Sequence, residues 1–580
     1  MAISGLHLSF IGVGVYRFLR RVTGFYLAGG VAGISFLILY VLMIGFTVSA
    51  VRALIMFLFR VGADMAGRHY DSPTALSVSA VIVLIWRPLS IYDGGFWLSF
   101  GAVAAVVLIL PVFSEQSVTM PSERILQGLW ASVSINLMLL PVLLYYFYEF
   151  PVYSTLLNLF VIPLMTALLF LGITGSVGCM AVGLLELPAA LEFLEIMGTL
   201  PLKVCGGILW LYEQSCKIVL KLPGARIVTG QPQLWQIVVY YVCLAGIVVF
   251  CYSGWKKQEG EANEPERKKL PEVRDGRRFG KRKHICCRLC LCAVLSMGTF
   301  SLIYRFGGYG KLQVTVLDVG QGDCIFIKDP SGMTYLADGG SSDVENVGQY
   351  RIEPFLKAQG VKKLNYIFVS HGDNDHISGI KEMLARQDVG IEIERVILPV
   401  RETWEEELRN LAVLAVQEGT QVFEIEAGQT LMEEEMLITC LHPGKDYTGH
   451  AGNSASMVLA FSCGEFDMLL TGDVEAEGEE LLTERLTADW KDRSWEVLKV
   501  AHHGSKNSSS AQFLKEVQPV CSIISAGQDN GYGHPHEETM ERLKETGSKV
   551  YSTQESGAIT MLIDGEEMSL SAFVKSRSTH

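Results

Sequence analysis

The chain has 580 residues, of which 49% are apolar, and a mean hydropathy of +0.30, which excludes a single soluble domain. Its net charge of −13 is unevenly placed: residues 1–310 carry 25 Lys+Arg against 16 Asp+Glu (+9), and residues 311–580 carry 23 against 45 (−22). The acidic half excludes a basic nucleic-acid groove built from that half alone, whereas acidic clusters suit divalent cations.

A bilayer crossing needs roughly 20 apolar residues. Runs of that kind fall at 25–46, 74–91, 95–113, 127–148, 155–185, 199–220, 233–254 and 286–304, with 155–185 long enough for two passes or a re-entrant pair. Residues 2–18 are apolar too, lack the charged start of a signal peptide, and read as the end of a longer helix. Gly29, Gly30 and Asn136 suit close helix packing and cross-helix hydrogen bonding. Arg52 is costly in an apolar setting, so it either faces a bundle interior or caps a helix at the interface. With His7, Asp64, Arg68 and Asp93 it is a candidate lining of a polar path. Asn136 and the stretch 158–163 suggest helix breaks.

Residues 256–285 form a charged linker with Pro265 and Pro271 and no apolar periodicity. From Lys256 to Arg288 there are 12 Lys+Arg against 6 acids, which places the linker in the cytoplasm by the positive-inside rule. If 286–304 then spans the bilayer, everything after residue 305 lies outside the cytoplasm; the alternative is an interfacial helix. Cys286, Cys287, Cys290 and Cys292 sit in that apolar run and read as small helix-facing residues rather than a zinc set. Cys324, Cys440, Cys463 and Cys521 read as buried thiols. The organisation is therefore a transmembrane domain over 1–255, the linker over 256–285, a last helix over 286–304 and a soluble domain over 311–580.

From Leu312 the texture changes. Strand-like runs appear at Leu312–Leu317, Cys324–Lys328, Tyr335–Ala337, Tyr366–Val369, Arg395–Leu398, Met436–Leu441, Ser456–Phe461, Phe466–Leu470, Val497–Val500 and Val520–Ile524. Helical patterns fall near 351–359, 378–387, 403–417, 475–487, 509–517 and 536–546. The mixture predicts a layered α/β domain, sheet inside and helices outside.

The run Tyr366–Val369 ends in Ser370-His371-Gly372-Asp373-Asn374-Asp375-His376. Imidazoles and carboxylates delivered to one strand end can hold two divalent cations side by side and activate water. Three later segments repeat the layout of apolar strand or turn, small residue, then ligand: Thr471-Gly472-Asp473, Ala501-His502-His503-Gly504 and Tyr532-Gly533-His534-Pro535-His536. A carboxylate at Asp473 is placed to bridge two ions. His502, taken as the inner of the adjacent pair, is the candidate general acid or phosphate-binding group, with a structural loop histidine as the alternative. Asp375 is the other candidate catalytic residue. Asp318–Asp323 and Asp338-Gly339-Gly340 are Gly-rich turns that shape the floor by close backbone approach, and Asp323 or Asp338 either orients a ligand or serves only as a turn residue.

At these residues the chain resembles the metallo-β-lactamase superfamily, whose opening motif His-x-His-x-Asp-His appears here as His-x-Asp-x-Asp-His. The resemblance implies an αββα sandwich in which His371 and Asp373 hold one ion and Asp375 and His376 the other, with Asp473 bridging and His534 completing the second site. Asp373 in place of a histidine makes the site richer in oxygen, favouring Mn²⁺ over Zn²⁺. No histidine clearly supplies the further ligand expected before the bridging Asp; His442, His450 and Asn453-Ser454 are the nearby groups. In the first half, Ala2–His7, Ser49–Ala53 and Asp93–Phe100 look like motifs of ComEC-type competence DNA-uptake channels, whose members carry further N-terminal helices and an oligonucleotide-binding barrel ahead of the segment on which this chain opens. That resemblance implies a polytopic α-helical channel in the bacterial inner membrane. It would pass single-stranded transforming DNA, and an extracytoplasmic metal-dependent nuclease would degrade the other strand of incoming duplex. It also implies a DNA receptor and, since no Gly-x-x-x-x-Gly-Lys-Ser/Thr loop occurs, a cytoplasmic ATPase as partners. The rival readings are a membrane-tethered hydrolase of another phosphodiester and a transporter whose metal domain only gates.

Overall fold

A computed structural model describes residues 26–113, 121–184, 192–262, 293–304, 310–491 and 493–574, with scattered positions between 12 and 22. It divides into two compact units, 1–304 and 305–580. Residues 2–7, most of the linker and the first seven residues of 286–304, with their four cysteines, lie outside the described residues.

The first unit is helical: α1 Tyr26–Ile44, α2 Val48–Met65, α3 Ser72–Trp86, α4 Gly94–Phe113, α5 Pro121–Phe147, α6 Ser154–Leu184, α7 Glu192–Leu220, α8 Leu234–Ala262 and α9 Ala293–Ile303. Among the described residues, four helices are long and apolar enough to cross a bilayer: Gly94–Phe113, Ile125–Phe147, Ser154–Met180 and Leu234–Cys251. Over the described residues the apolar helices Gly29–Met43, Ser72–Trp86 and Ala293–Ile303 are shorter, and α7 carries Lys203, Glu213 and Lys217.

Helix α2 differs from the sequence expectation, which placed no span there, because Arg52, Arg60 and Asp64 dilute its hydropathy. The region 155–185 is one continuous helix of 31 residues with Pro163 inside it, rather than two passes. Nor is there a break at Asn136 or 158–163. Asn136 Nδ2 donates to Thr155 Oγ1 (2.7 Å) and Ser154 Oγ (3.3 Å), and Asn158 Nδ2 to Ser132 Oγ (3.4 Å), so both asparagines tie α5 to α6. Arg52 is buried; it donates to the Ser99 carbonyl on α4, and its guanidinium lies 5.7 Å from the Phe100 ring. Asp93, by contrast, is exposed and caps α4, accepting from Gly95 N at 2.8 Å. A short antiparallel pair, β1 Glu149–Pro151 and β2 Arg226–Val228, links two inter-helix segments.

The second unit is a four-layer αββα sandwich. One sheet runs β17-β16-β3-β4-β5-β6-β7-β8 and the other β15-β14-β13-β12-β11-β10-β9. The strands of the first half are β3 Leu312–Val316, β4 Ile325–Lys328, β5 Thr334–Ala337, β6 Lys363–Phe368, β7 Glu392–Pro399, β8 Gln421–Ile425 and β9 Thr430–Glu433. The rest are β10 Met436–His442, β11 Val458–Cys463, β12 Phe466–Leu470, β13 Val497–Lys499, β14 Cys521–Ile524, β15 Lys549–Ser552, β16 Ile559–Asp564 and β17 Glu567–Ala572. The ten strand-like runs all become strands; β8, β9 and β15 to β17 are additional.

Alternation along these strands makes the layers. Val314, Ile325, Tyr335 and Phe368 face Ile438, Leu459, Phe461, Met468 and Val497 between the sheets. The residues pointing outward, such as Phe326, Leu336 and Ile367, meet α11 Asn374–Leu384 and α12 Glu406–Gln417, after the short α10 Glu353–Ala358. Leu469, Leu498 and Ile524 meet α13 Ala476–Asp489, α14 Ala511–Val517 and α15 Glu537–Glu545. Strands β5 to β8 are parallel, as are β12 to β15. Parallel strands joined by helices present their C-terminal ends at one edge, where ligand-bearing loops collect. Cys324, Cys440 and Cys521 are buried free thiols and Cys463 is half-buried.

Candidate metal centre

Strand β6 ends at Phe368, and the chain turns through Ser370 and His371 into α11, with Asp373 as N-cap residue and Asp375 and His376 in the first turn. The turn is seated on backbone. Asp323 N donates to Asp375 O (3.0 Å) and Gly339 N to His376 O (2.8 Å). A Cβ on Gly340 would fall 2.5 Å from Asn374 O, and one on Gly322 would fall 2.5 Å from Asp375 O, so both Gly-rich turns approach the site too closely for any side chain. Asp473 follows β12 through Gly472, whose φ of +51° and contact with Ser370 leave no room for a Cβ. His502 and His503 follow β13 in a turn where both residues have positive φ, 47° and 52°.

These segments converge. Asp375, His376, Asp473 and His503 each bring a ligand atom within 4.8 Å of the others. His376 Nε2 is 3.2 Å from Asp473 Oδ1, and His503 Nε2 is 3.3 Å from Asp375 Oδ2 and 3.6 Å from Asp473 Oδ2. His371 lies beside them, its ring centroid 4.2 Å from that of His376 and its Nε2 3.5 Å from Asp373 Oδ2. His534 stands across a cavity of about 320 Å³ also lined by Asp373, Asp375, Asp473, His502, His503 and Tyr532. The ring of Tyr532 stacks on His534 at 5.7 Å.

The sequence-based choice between the two adjacent histidines changes here. His503, 1% exposed, is the inner one and joins the ligand group; His502 lines the cavity, its Nδ1 3.0 Å from Glu475 Oε2 and its Nε2 3.8 Å from Asp473 Oδ2. Asn453 Nδ2 lies 3.4 Å from His502 Nε2, whereas His442 is buried against the Ser454 carbonyl (2.9 Å) and His450 is exposed against Glu477. Asp338 and Asp323 both stand behind histidines. Asp338 Oδ2 is 2.9 Å from His376 Nδ1 while its Oδ1 accepts from Ser370 N, and Asp323 Oδ1 is 3.4 Å from His503 Nδ1, which also meets the Ser525 carbonyl at 2.9 Å.

The donor set fits a cation. His371 Nε2, His376 Nε2, His503 Nε2, Asp473 Oδ1 and His534 Nδ1 are buried without a hydrogen-bond partner. Each such orphan costs about 1–3 kcal/mol, a cost that ligation removes. Electrostatics agree. Burial opposes charge on Asp473, yet His376 and His503 hold its carboxyl well below the usual range. Burial likewise opposes the His503 imidazolium, but Asp473 and Asp323 raise its pKa to about 10, while burial and the neighbouring His502 and His503 push His534 down to about 4. A cluster that attracts protons this strongly is one that a metal ion would discharge.

Fold and site define a metallo-β-lactamase superfamily domain, and residues 317–528 match that superfamily. Residues 1–254 match the Competence protein family. The chain is 25% identical to ComE operon protein 3 of Bacillus subtilis (strain 168) over 96% of its length and 67% of the relative's. It is 28% identical to Competence protein ComA of Neisseria gonorrhoeae over 96% of its length and 70% of the relative's. It thus spans about two thirds of these relatives. Among solved structures, CmlA, a diiron β-hydroxylase from Streptomyces venezuelae, overlaps 47% of this chain and 59% of its own at 13% identity and a TM-score of 0.31. The chain thus joins a region that matches the Competence protein family, with four described helices long and apolar enough to cross a membrane, to a domain that matches the metallo-β-lactamase superfamily.

Proposed function

We propose that the first unit is an inner-membrane channel for single-stranded transforming DNA, and that the second is an extracytoplasmic two-metal nuclease that degrades the strand not imported. The observation that carries the enzymatic half is the group of buried, unpartnered donor atoms at the common sheet edge. Asp375, His376, Asp473 and His503 would form its centre, with His371 and Asp373 on one side and His534 on the other. The oxygen-rich set, Asp373, Asp375 and Asp473, favours Mn²⁺, with Zn²⁺ the alternative. When bound, two such ions supply hydroxide near neutral pH and neutralise charge on the phosphoryl oxygens.

The chain's own groups do the rest. Asp338 and Asp323, through the Nδ1 atoms, orient His376 and His503 so that each presents Nε2. Glu475 fixes His502 with its Nε2 toward the cavity, where it holds a proton for the leaving oxygen or binds a phosphate oxygen. The basic linker, cytoplasmic by charge, supports the extracytoplasmic position of the nuclease, which is the side from which DNA arrives. A DNA receptor and an ATPase would be separate partners.

The test is cleavage of linear duplex DNA against a cyclic dinucleotide by the purified full-length chain, with Mn²⁺, Mg²⁺ or Zn²⁺, alongside Asp375→Asn. Metal-dependent DNA cleavage lost in the variant is the expected result. Cleavage of the dinucleotide alone would replace the nuclease with another phosphodiesterase. Metal binding without any hydrolysis, with DNA uptake retained in Asp375→Asn cells, would make the domain a gate.

A further inference from the structure

Lys499, the last residue of β13, is fully buried, and so is Asp323, which precedes β4 in the other sheet. The Lys499 ammonium donates to Asp323 Oδ2 at 2.6 Å and to the Val500 carbonyl at 3.1 Å. The carboxylate's second oxygen makes no hydrogen bond and faces His503 Nδ1 at 3.4 Å. Asp323 is also close enough to Asp338 and His376 for one ligand atom of each to lie within 4.8 Å of the others. This is a second, inner group of cation-binding atoms directly behind the first. The void beside it, lined by Asp323, Asp338, Ser370, Gly472 and Lys499, is about 10 Å³, room for at most one water.

A buried ion pair is weak evidence for stability, since apolar residues of similar size pack as well or better. What it offers here is charge in a fixed place. Five carboxylates, of Asp323, Asp338, Asp373, Asp375 and Asp473, surround the centre; two divalent ions and one ammonium balance them. The pair also joins the two sheets at the point where their ligand sets must register.

We propose that Lys499 and Asp323 form a positioning pair for the metal centre: the ammonium takes the inner group in place of a third ion, and Asp323, held by it, aims His503 at the outer one. The inference rests on the reading that the outer group holds metal. Its test is Mn²⁺ titration of the full-length chain in detergent, following the spin-resonance signal of free Mn²⁺, together with thermal unfolding. Asp323→Asn leaves the ammonium unpaired behind the site and removes the carboxylate from His503; Mn²⁺ affinity is expected to fall about 100-fold. The double variant Lys499→Met/Asp323→Asn removes the stranded charge but not the lost orientation. It is expected to recover about ten-fold, to stay about ten-fold below the parent, and to melt near the parent's Tm. A double variant that binds Mn²⁺ as the parent does would reduce the pair to a structural contact and overturn the inference alone. A parent chain that binds no Mn²⁺ would overturn the metal reading and the inference with it.

Discussion

In the first unit polar side chains reach partners on another helix; in the second, several buried ones stop short of a partner. Asn136 finds Thr155, Tyr240 finds the Leu137 carbonyl, and Gln236 spans to the Tyr304 carbonyl at 2.8 Å. In the C-terminal unit, His376 Nε2, His503 Nε2 and Asp473 Oδ1 converge within a few ångströms and make no hydrogen bond. Satisfied groups hold helices together where water is scarce; unsatisfied ones, kept rigid by partners on their far side, are set for a ligand the chain does not itself supply. The first unit has its own exceptions: Arg52 Nε and Ser99 Oγ lie on neighbouring helices without hydrogen bonds of their own, which makes that contact its nearest analogue of a poised site.

The comparison is broken most directly at Asp473. Asp473→Ala is expected to lower Mn²⁺ affinity by more than about 100-fold, with the circular-dichroism spectrum unchanged, because the group's central carboxylate is lost; equilibrium dialysis with metal analysis measures it. Next comes the histidine pair. His503→Ala should lose metal, whereas His502→Ala should keep it and lower kcat about 10²–10⁴-fold on whichever phosphodiester is cleaved; metal content and turnover measured on the same samples separate the roles.

A smaller effect concerns His442, a buried histidine outside the centre whose pKa burial pushes down to about 4. Its neutral form is favoured in the fold, so its contribution is fully present above the unfolded value of about 6.5 and is lost as pH falls toward 4. The penalty amounts to about 3 kcal/mol by the foot of that window. The Tm of the parent should therefore drop more between pH 7 and pH 4.5 than that of His442→Asn; equal drops would show that this histidine is not what titrates. Smallest is Asn136→Leu, expected to cost about 0.6–1 kcal/mol by removing the tie between α5 and α6, read as a lower denaturation midpoint in detergent.

Much of the second unit is legible from local pattern. Every strand-like run before the ligand segments became a strand, because apolar stretches ending in small residues and turn formers leave few alternatives. What the pattern could not resolve was geometry that depends on dihedral angles. His502 and His503 both sit at positive φ, so the alternation that would place one inward gives no guide. The edge strands β15 and β17 went unmarked because partly exposed edge strands carry a weaker apolar signal: β17 alternates between exposed and half-buried along its whole length. In the first unit, asparagine and proline read as helix breakers, but α5 and α6 satisfy the amides across their interface and run on. The buried Lys499 had no signature at all: a lysine in an apolar strand looks like any other until its partner, 176 residues away, is placed beside it.

That long separation bears on biosynthesis. The groups that meet at the centre enter the chain at residues 323, 338, 371–376, 473, 502–503 and 534, so they leave the ribosome over more than two hundred residues of synthesis. No product of translation that stops before His534 holds the whole set, and neither sheet alone does. The centre assembles only when the chain has been made through His534 and the second sheet has closed on the first, so a nascent chain shorter than that carries no complete set of candidate ligands.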